Sequence, residues 1–172
     1  MLIDMKITRK TKMADITAIL NEDRVRQLSQ QVPAKPLAKP LLKMSCGEFI
    51  AAMDEEFAMS FFQREKYAFD AFGKYRQYLD EMQGVTAYLK RYEVEQDADE
   101  KAAAQGVDFP SLGERILLDC VRHYNLHSTA EAERMPIVDW LLVVKSDGAS
   151  AQYQRKLTKL QQRKNNNSHG RK

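Results

Sequence analysis

Phe49-Ile50-Ala51-Ala52-Met53-Asp54-Glu55-Glu56-Phe57-Ala58-Met59-Ser60-Phe61-Phe62 is the stretch whose reading decides the fold. Phe49, Met53, Phe57 and Phe61 recur every four residues, and side chains four apart share one face of an α-helix. With Ile50, Phe62, Tyr67, Ala68 and Phe72 beside them, they predict a helix from Cys46 to about Phe72, with Gly73 as its stop or kink. Just before it, Ser45-Cys46-Gly47-Glu48 has the form of a capping box. In such a box the serine oxygen accepts from the third helical amide while the glutamate reaches back to the cap amide, so two otherwise orphaned donors are satisfied. Met44 and Phe49 stand at the spacing of a hydrophobic staple.

Working outward, Tyr75, Tyr78, Leu79, Met82, Val85, Leu89 and Tyr92 predict another helical segment, interrupted by Gly84. Residues 93 to 105 are acidic and alanine-rich, a helix end or a loop, closed by Gly106 and Pro110. Two more boxes, Ser111-Leu112-Gly113-Glu114 and Ser128-Thr129-Ala130-Glu131, open a helix ending near Asn125 and a shorter one after it. Met135 to Val144 suits either a buried helix, with Pro136 at its first position, or a strand. Helix is the reading adopted, because no second strand candidate exists to pair with it. Asp147-Gly148 is expected to turn, and Tyr153, Leu157 and Leu160 mark a last helix that frays into the Asn165–Gly170 run.

Toward the N-terminus, Ile16, Ile19, Leu20, Val25 and Leu28 predict one or two short helices between about residues 14 and 30, with Asn21 as a break. Pro33, Pro36 and Pro40 exclude helix over residues 32–41 and favour an extended connector. The expected class is therefore all-α, an irregular multi-helix bundle. It divides into a basic end with short helices (1–31), a Pro-rich linker (32–41), a helical core domain (42–160) and a disordered basic C-terminal tail (161–172).

With 44% hydrophobic and 30% charged residues the composition is globular. No uninterrupted apolar run exceeds five residues, as in Trp140 to Val144, against the roughly 20 that cross a bilayer, so no membrane partner is expected. The first residues lack the pattern of a secretory signal, and Cys46 and Cys120 are too few and too far apart for a disulfide framework, so the expected location is cytoplasmic. The net charge of +3 conceals an asymmetry: residues 1–12 carry +3 and residues 155–172 carry +7, leaving −7 for the body. Basic ends on an acidic body suit contact with an anionic partner, or simply solubility.

No phosphate-binding glycine loop, His-Glu-x-x-His, Cys-x-x-Cys or nucleophile elbow occurs in the chain, so no enzyme activity and no cofactor are expected. Asp119, Cys120, His123 and His127 have ligand chemistry, but Cys120 falls on the apolar stripe and His127 past the helix end, so no metal is expected there. Eleven of the 15 aromatics lie between residues 49 and 92. Either they form a core made by two helices, or the face bearing Phe49, Met53, Phe57, Phe61 and Phe62 exceeds what the chain covers internally and binds a partner protein or a second copy. Cations interleaved with Tyr67, Tyr75, Tyr78, Tyr88 and Tyr92 are diluted by acids, which argues against a nucleic-acid surface there. The better nucleic-acid candidate is the terminal helix with Arg155, Lys156, Lys159, Arg163 and Lys164. The expected function is a non-enzymatic helical protein-binding module, an adaptor, assembly accessory or assembly chaperone. The alternative is a nucleic-acid-associated accessory acting through that basic helix and tail.

Overall fold

A computed structural model describes residues 6–94 and 98–169. Among them there is no β-strand, and the chain is all-α: α1 Glu22–Ser29, α2 Cys46–Ala52, α3 Glu55–Arg64, α4 Ala68–Tyr92, α5 Ala98–Ala103, α6 Leu112–Tyr124, α7 Thr129–Arg134 and α8 Ile137–His169. They form two compact units. The first holds the described residues up to Thr86 together with Glu133–Ile137, and the second holds Ala87–Ala132 and the described residues from Val138 onward.

The first unit is organised by backbone pairing between distant segments. Met13 N donates to Lys66 O at 3.1 Å and Ala68 N to Thr11 O at 2.8 Å, which bridges Tyr67 to Lys12 in antiparallel sense. The predicted single helix from Cys46 to Phe72 is consequently three helices. Its first break falls at Met53-Asp54, where the Asp54 carboxylate accepts from Glu56 N at 3.1 Å and caps α3. Its second is the extended turn at 65–67. Ile7, Met13, Ile16, Val25, Leu28, Val32, Phe62, Ala68, Ala71 and Phe72 close over one another as the unit's core. Asn21, expected as a break, caps α1 by accepting from Arg24 N at 2.9 Å, after two short 3-10 turns at Met13–Asp15 and Thr17–Ile19.

The proline segment is non-helical, yet it is no boundary between units. Val32, Leu37 and Leu41 are buried, Lys35 N donates to Gly73 O at 2.9 Å, Arg76 Nη1 donates to Val32 O at 2.7 Å, and Lys35 pairs with Asp70. Gly73, expected to stop a helix, sits inside α4. A Cβ there would lie 2.8 Å from Lys35 Cγ and 3.0 Å from Pro33 O, so the glycine lets the connector lie against the helix. The returning segment 133–137 joins the same unit through Cys46 N to Met135 O at 2.7 Å and Ile137 N to Met44 O at 3.0 Å.

In the second unit α6, α7 and α8 bury Ile116, Cys120, Ala132, Trp140, Leu141 and Val143. Trp140 Nε1 donates to Asp119 at 3.2 Å. Met135 to Val144 leads into helix α8 as expected, and Asn125, at φ 51°, ends α6 in the left-handed conformation. Asp147-Gly148 does not turn: α8 runs through it. At Gly148 a Cβ would stand 2.4 Å from Tyr92 O and 2.6 Å from Tyr92 Cβ, so the glycine serves close contact with the end of α4. The helix is continuous to His169. Glu95, Gln96 and Asp97 of the acidic stretch, residues 1–5 of the basic end and residues 170–172 of the tail lie outside the described residues.

Two capping boxes close reciprocally. Ser45 accepts from Glu48 N at 3.2 Å while its own amide donates to Glu48 Oε2 at 2.7 Å, and Ser111 and Glu114 repeat this at 3.3 and 2.8 Å. The third is half a box: Glu131 N donates to Ser128 Oγ at 3.3 Å, but the Glu131 carboxylate takes the amide of His127 instead.

Candidate protein-binding surface

The predicted aromatic face separates into interior and rim. Phe49 and Phe62 are 1% and 8% exposed and are buried, Phe62 within the first unit's core cluster. Phe62 packs edge-on against Phe72, centroids 5.0 Å apart, and beside Tyr75 at 5.4 Å. Met53, Phe57 and Phe61 remain half-buried. Phe57 and Phe61 meet edge-on at 5.4 Å, and both lean on Tyr78, at 5.8 and 6.2 Å. Tyr78 is itself buried and donates its hydroxyl to Ala52 O at 2.8 Å, so the platform beneath the two rings is fixed in position. Burial, with Tyr75 adding to it, holds the Tyr78 phenol above its ordinary value of 10.0 and keeps it a donor. The result is an apolar rim made by Met53 at the end of α2 and Phe57 and Phe61 on α3, the two rings backed by Tyr78 of α4.

The basic residues assigned to the terminal helix all lie on α8, but they are not equivalent. Arg155 pairs with Glu100 on α5. Lys156, Lys159, Arg163 and Lys164 are exposed. At about 100° per residue, Lys156, Lys159 and Arg163 fall within one narrow stripe. Beside that stripe, Tyr153 is 60% and Leu160 53% exposed, with Leu157 half-buried between them.

The four residues with ligand chemistry are not brought together. Asp119 accepts from Trp140, His123 Nε2 lies 3.0 Å from Asp147, and Cys120 is buried, while the bond from His127 to Glu131 is made by its backbone amide. Among the described residues no group of three or more such side chains could hold a metal ion. No described helix is long and apolar enough to cross a membrane.

One further surface escaped the sequence reading. In the second unit Phe109, Pro110, Leu117 and Leu118, together with Asp108, Glu114 and Thr129, line a groove of about 540 Å³. Phe109 is 61% exposed, and Val107, Leu112 and Leu118 are exposed nearby. Its signal was the Val107-Asp108-Phe109-Pro110 run, two large apolar residues in a stretch read only as the close of a loop. Comparison with family models, with curated proteins and with solved structures gives no match to this chain.

Proposed function

We propose that the chain is a non-enzymatic helical binding module, an adaptor, assembly accessory or assembly chaperone that meets a protein partner through Met53, Phe57 and Phe61. The observation that supports this reading is the partly buried pair of rings on α3 resting on a hydrogen-bonded Tyr78. Large apolar groups that are already held in place lose little side-chain entropy on binding, which is why aromatic anchors of this kind dominate binding energy at interfaces. Phe49 and Phe62 contribute by keeping the helices beneath the rim in place.

The test separates rim from interior. Intact protein, Phe57→Ser and Phe61→Ser are immobilised and exposed to lysate of the organism that makes the chain. The reading expects a defined protein retained by the intact chain and lost from both variants, whose helical circular dichroism is unchanged. Equal retention by all three, or unfolding of both variants, contradicts it.

A further inference from the structure

The end of α8 and the groove beside α6 are chemically complementary, and both belong to the second unit. On α8, Tyr153, Leu157, Leu160 and Lys164 follow one another at spacings of four, three and four, which puts them on one face, and Lys156 and Arg163 border one side of it. Tyr153 and Leu160 are more than half exposed. The groove offers the inverse: apolar Phe109, Leu117 and Leu118 in its lining together with the acids Asp108 and Glu114. Glu114 is ionised and fixed in place, since its hydrogen bonds from the Ser111 hydroxyl and amide hold its carboxyl below the usual glutamate range.

We infer that the occupant of this groove is the terminal part of α8 from a second copy of the chain. An apolar stripe bordered by cations matches an apolar groove bearing acids in chemistry and in sign. Nucleic acid fits the helix less well: phosphates would engage Lys156, Lys159 and Arg163 but leave Leu157 and Leu160 facing water. Because each copy carries both surfaces, two chains related by a two-fold axis make the contact twice and close, leaving no open end for further addition. This self-association is independent of the rim at Phe57 and Phe61.

Sedimentation velocity on the full chain tests it. The intact protein is expected to dimerise at tens of micromolar and to weaken as salt is raised, while Phe109→Asp and Leu160→Asp each sediment as monomers with unchanged helical content. Mixing the two variants restores one of the two contacts, so the mixture forms a heterodimer that neither forms alone. A second pair guards against a folding defect: Asp108→Lys and Lys156→Glu, both at exposed positions, each weaken the dimer at least tenfold and recover when mixed. A monomeric intact chain, a dimer indifferent to these variants, or failure of both mixtures to recover overturns the inference. So does a Leu160→Asp-sensitive shift onto duplex DNA or phosphatidylserine vesicles with no dimer formed.

Discussion

Three glycines within helices show how differently one residue type is used. Gly148 touches Tyr92 so closely that any side chain displaces backbone, Gly73 faces the proline segment, and Gly84 has nothing within 4 Å of where a Cβ would stand. Gly148→Ala should therefore destabilise by about 2 kcal/mol or more, as overpacking against an unyielding neighbour does. Gly84→Ala should instead stabilise by roughly 0.5–1 kcal/mol, the helix-propensity gain with no clash to offset it. Gly73→Ala falls between, because the Lys35 side chain yields where the Pro33 carbonyl does not. Urea unfolding of the three variants checks the order, and a destabilised Gly84→Ala would contradict it. Tyr78→Phe leaves Ala52 O without its donor and should cost about 1 kcal/mol. Its phenol pKa is raised in the fold, so the stability it contributes is complete below pH 10 and is lost as pH rises through the folded value. Tyr78→Phe should accordingly flatten the alkaline decline in melting temperature.

At the scale of elements, the capping boxes make the acid response predictable. Glu48 is held below its ordinary value of 4.5 by its side-chain bond with Lys39 and then by the Ser45 amide, and Glu114 by Ser111. A carboxyl lowered in the fold contributes stability that is present above the unfolded value and lost as pH falls through the folded one. Glu48→Gln and Glu114→Gln should each lower stability modestly at pH 7 and converge with the unmodified chain as pH falls through the folded carboxyl value; chemical denaturation at neutral and progressively acidic pH reads this out. The boxes at Ser45 and Ser111 were legible because their partners lie within four residues. The division of residues 46–72 was not. Phenylalanines every four residues drift by about 40° per step, so a straight helix would carry Phe61 about 120° round from Phe49. Breaks at Asp54 and at 65–67 re-aim α3, and the second depends on pairing with Thr11 and Met13, some 55 residues away, which no local pattern announces. Gly148 misled for the same reason, since its partner is Tyr92 rather than a neighbour in sequence.

At the scale of the whole molecule, the all-α class followed from periodicity, whereas the two-unit division did not. The chain leaves its first unit after Thr86 and returns for Glu133–Ile137, and that return rests on Cys46, Met44 and Met135 backbone bonds. The aromatic cluster was legible as a cluster, but its partition into buried Phe49 and Phe62 and partly buried Phe57 and Phe61 required the three-dimensional structure. That partition carries the proposal. It is tested most directly by replacing Phe61, and separately the exposed neighbour Gln63 on the same helix, with a photo-reactive phenylalanine and irradiating the cells that make the protein. The account predicts a discrete protein adduct from position 61 and none from position 63. No adduct at 61, or the same adducts at both, would contradict it.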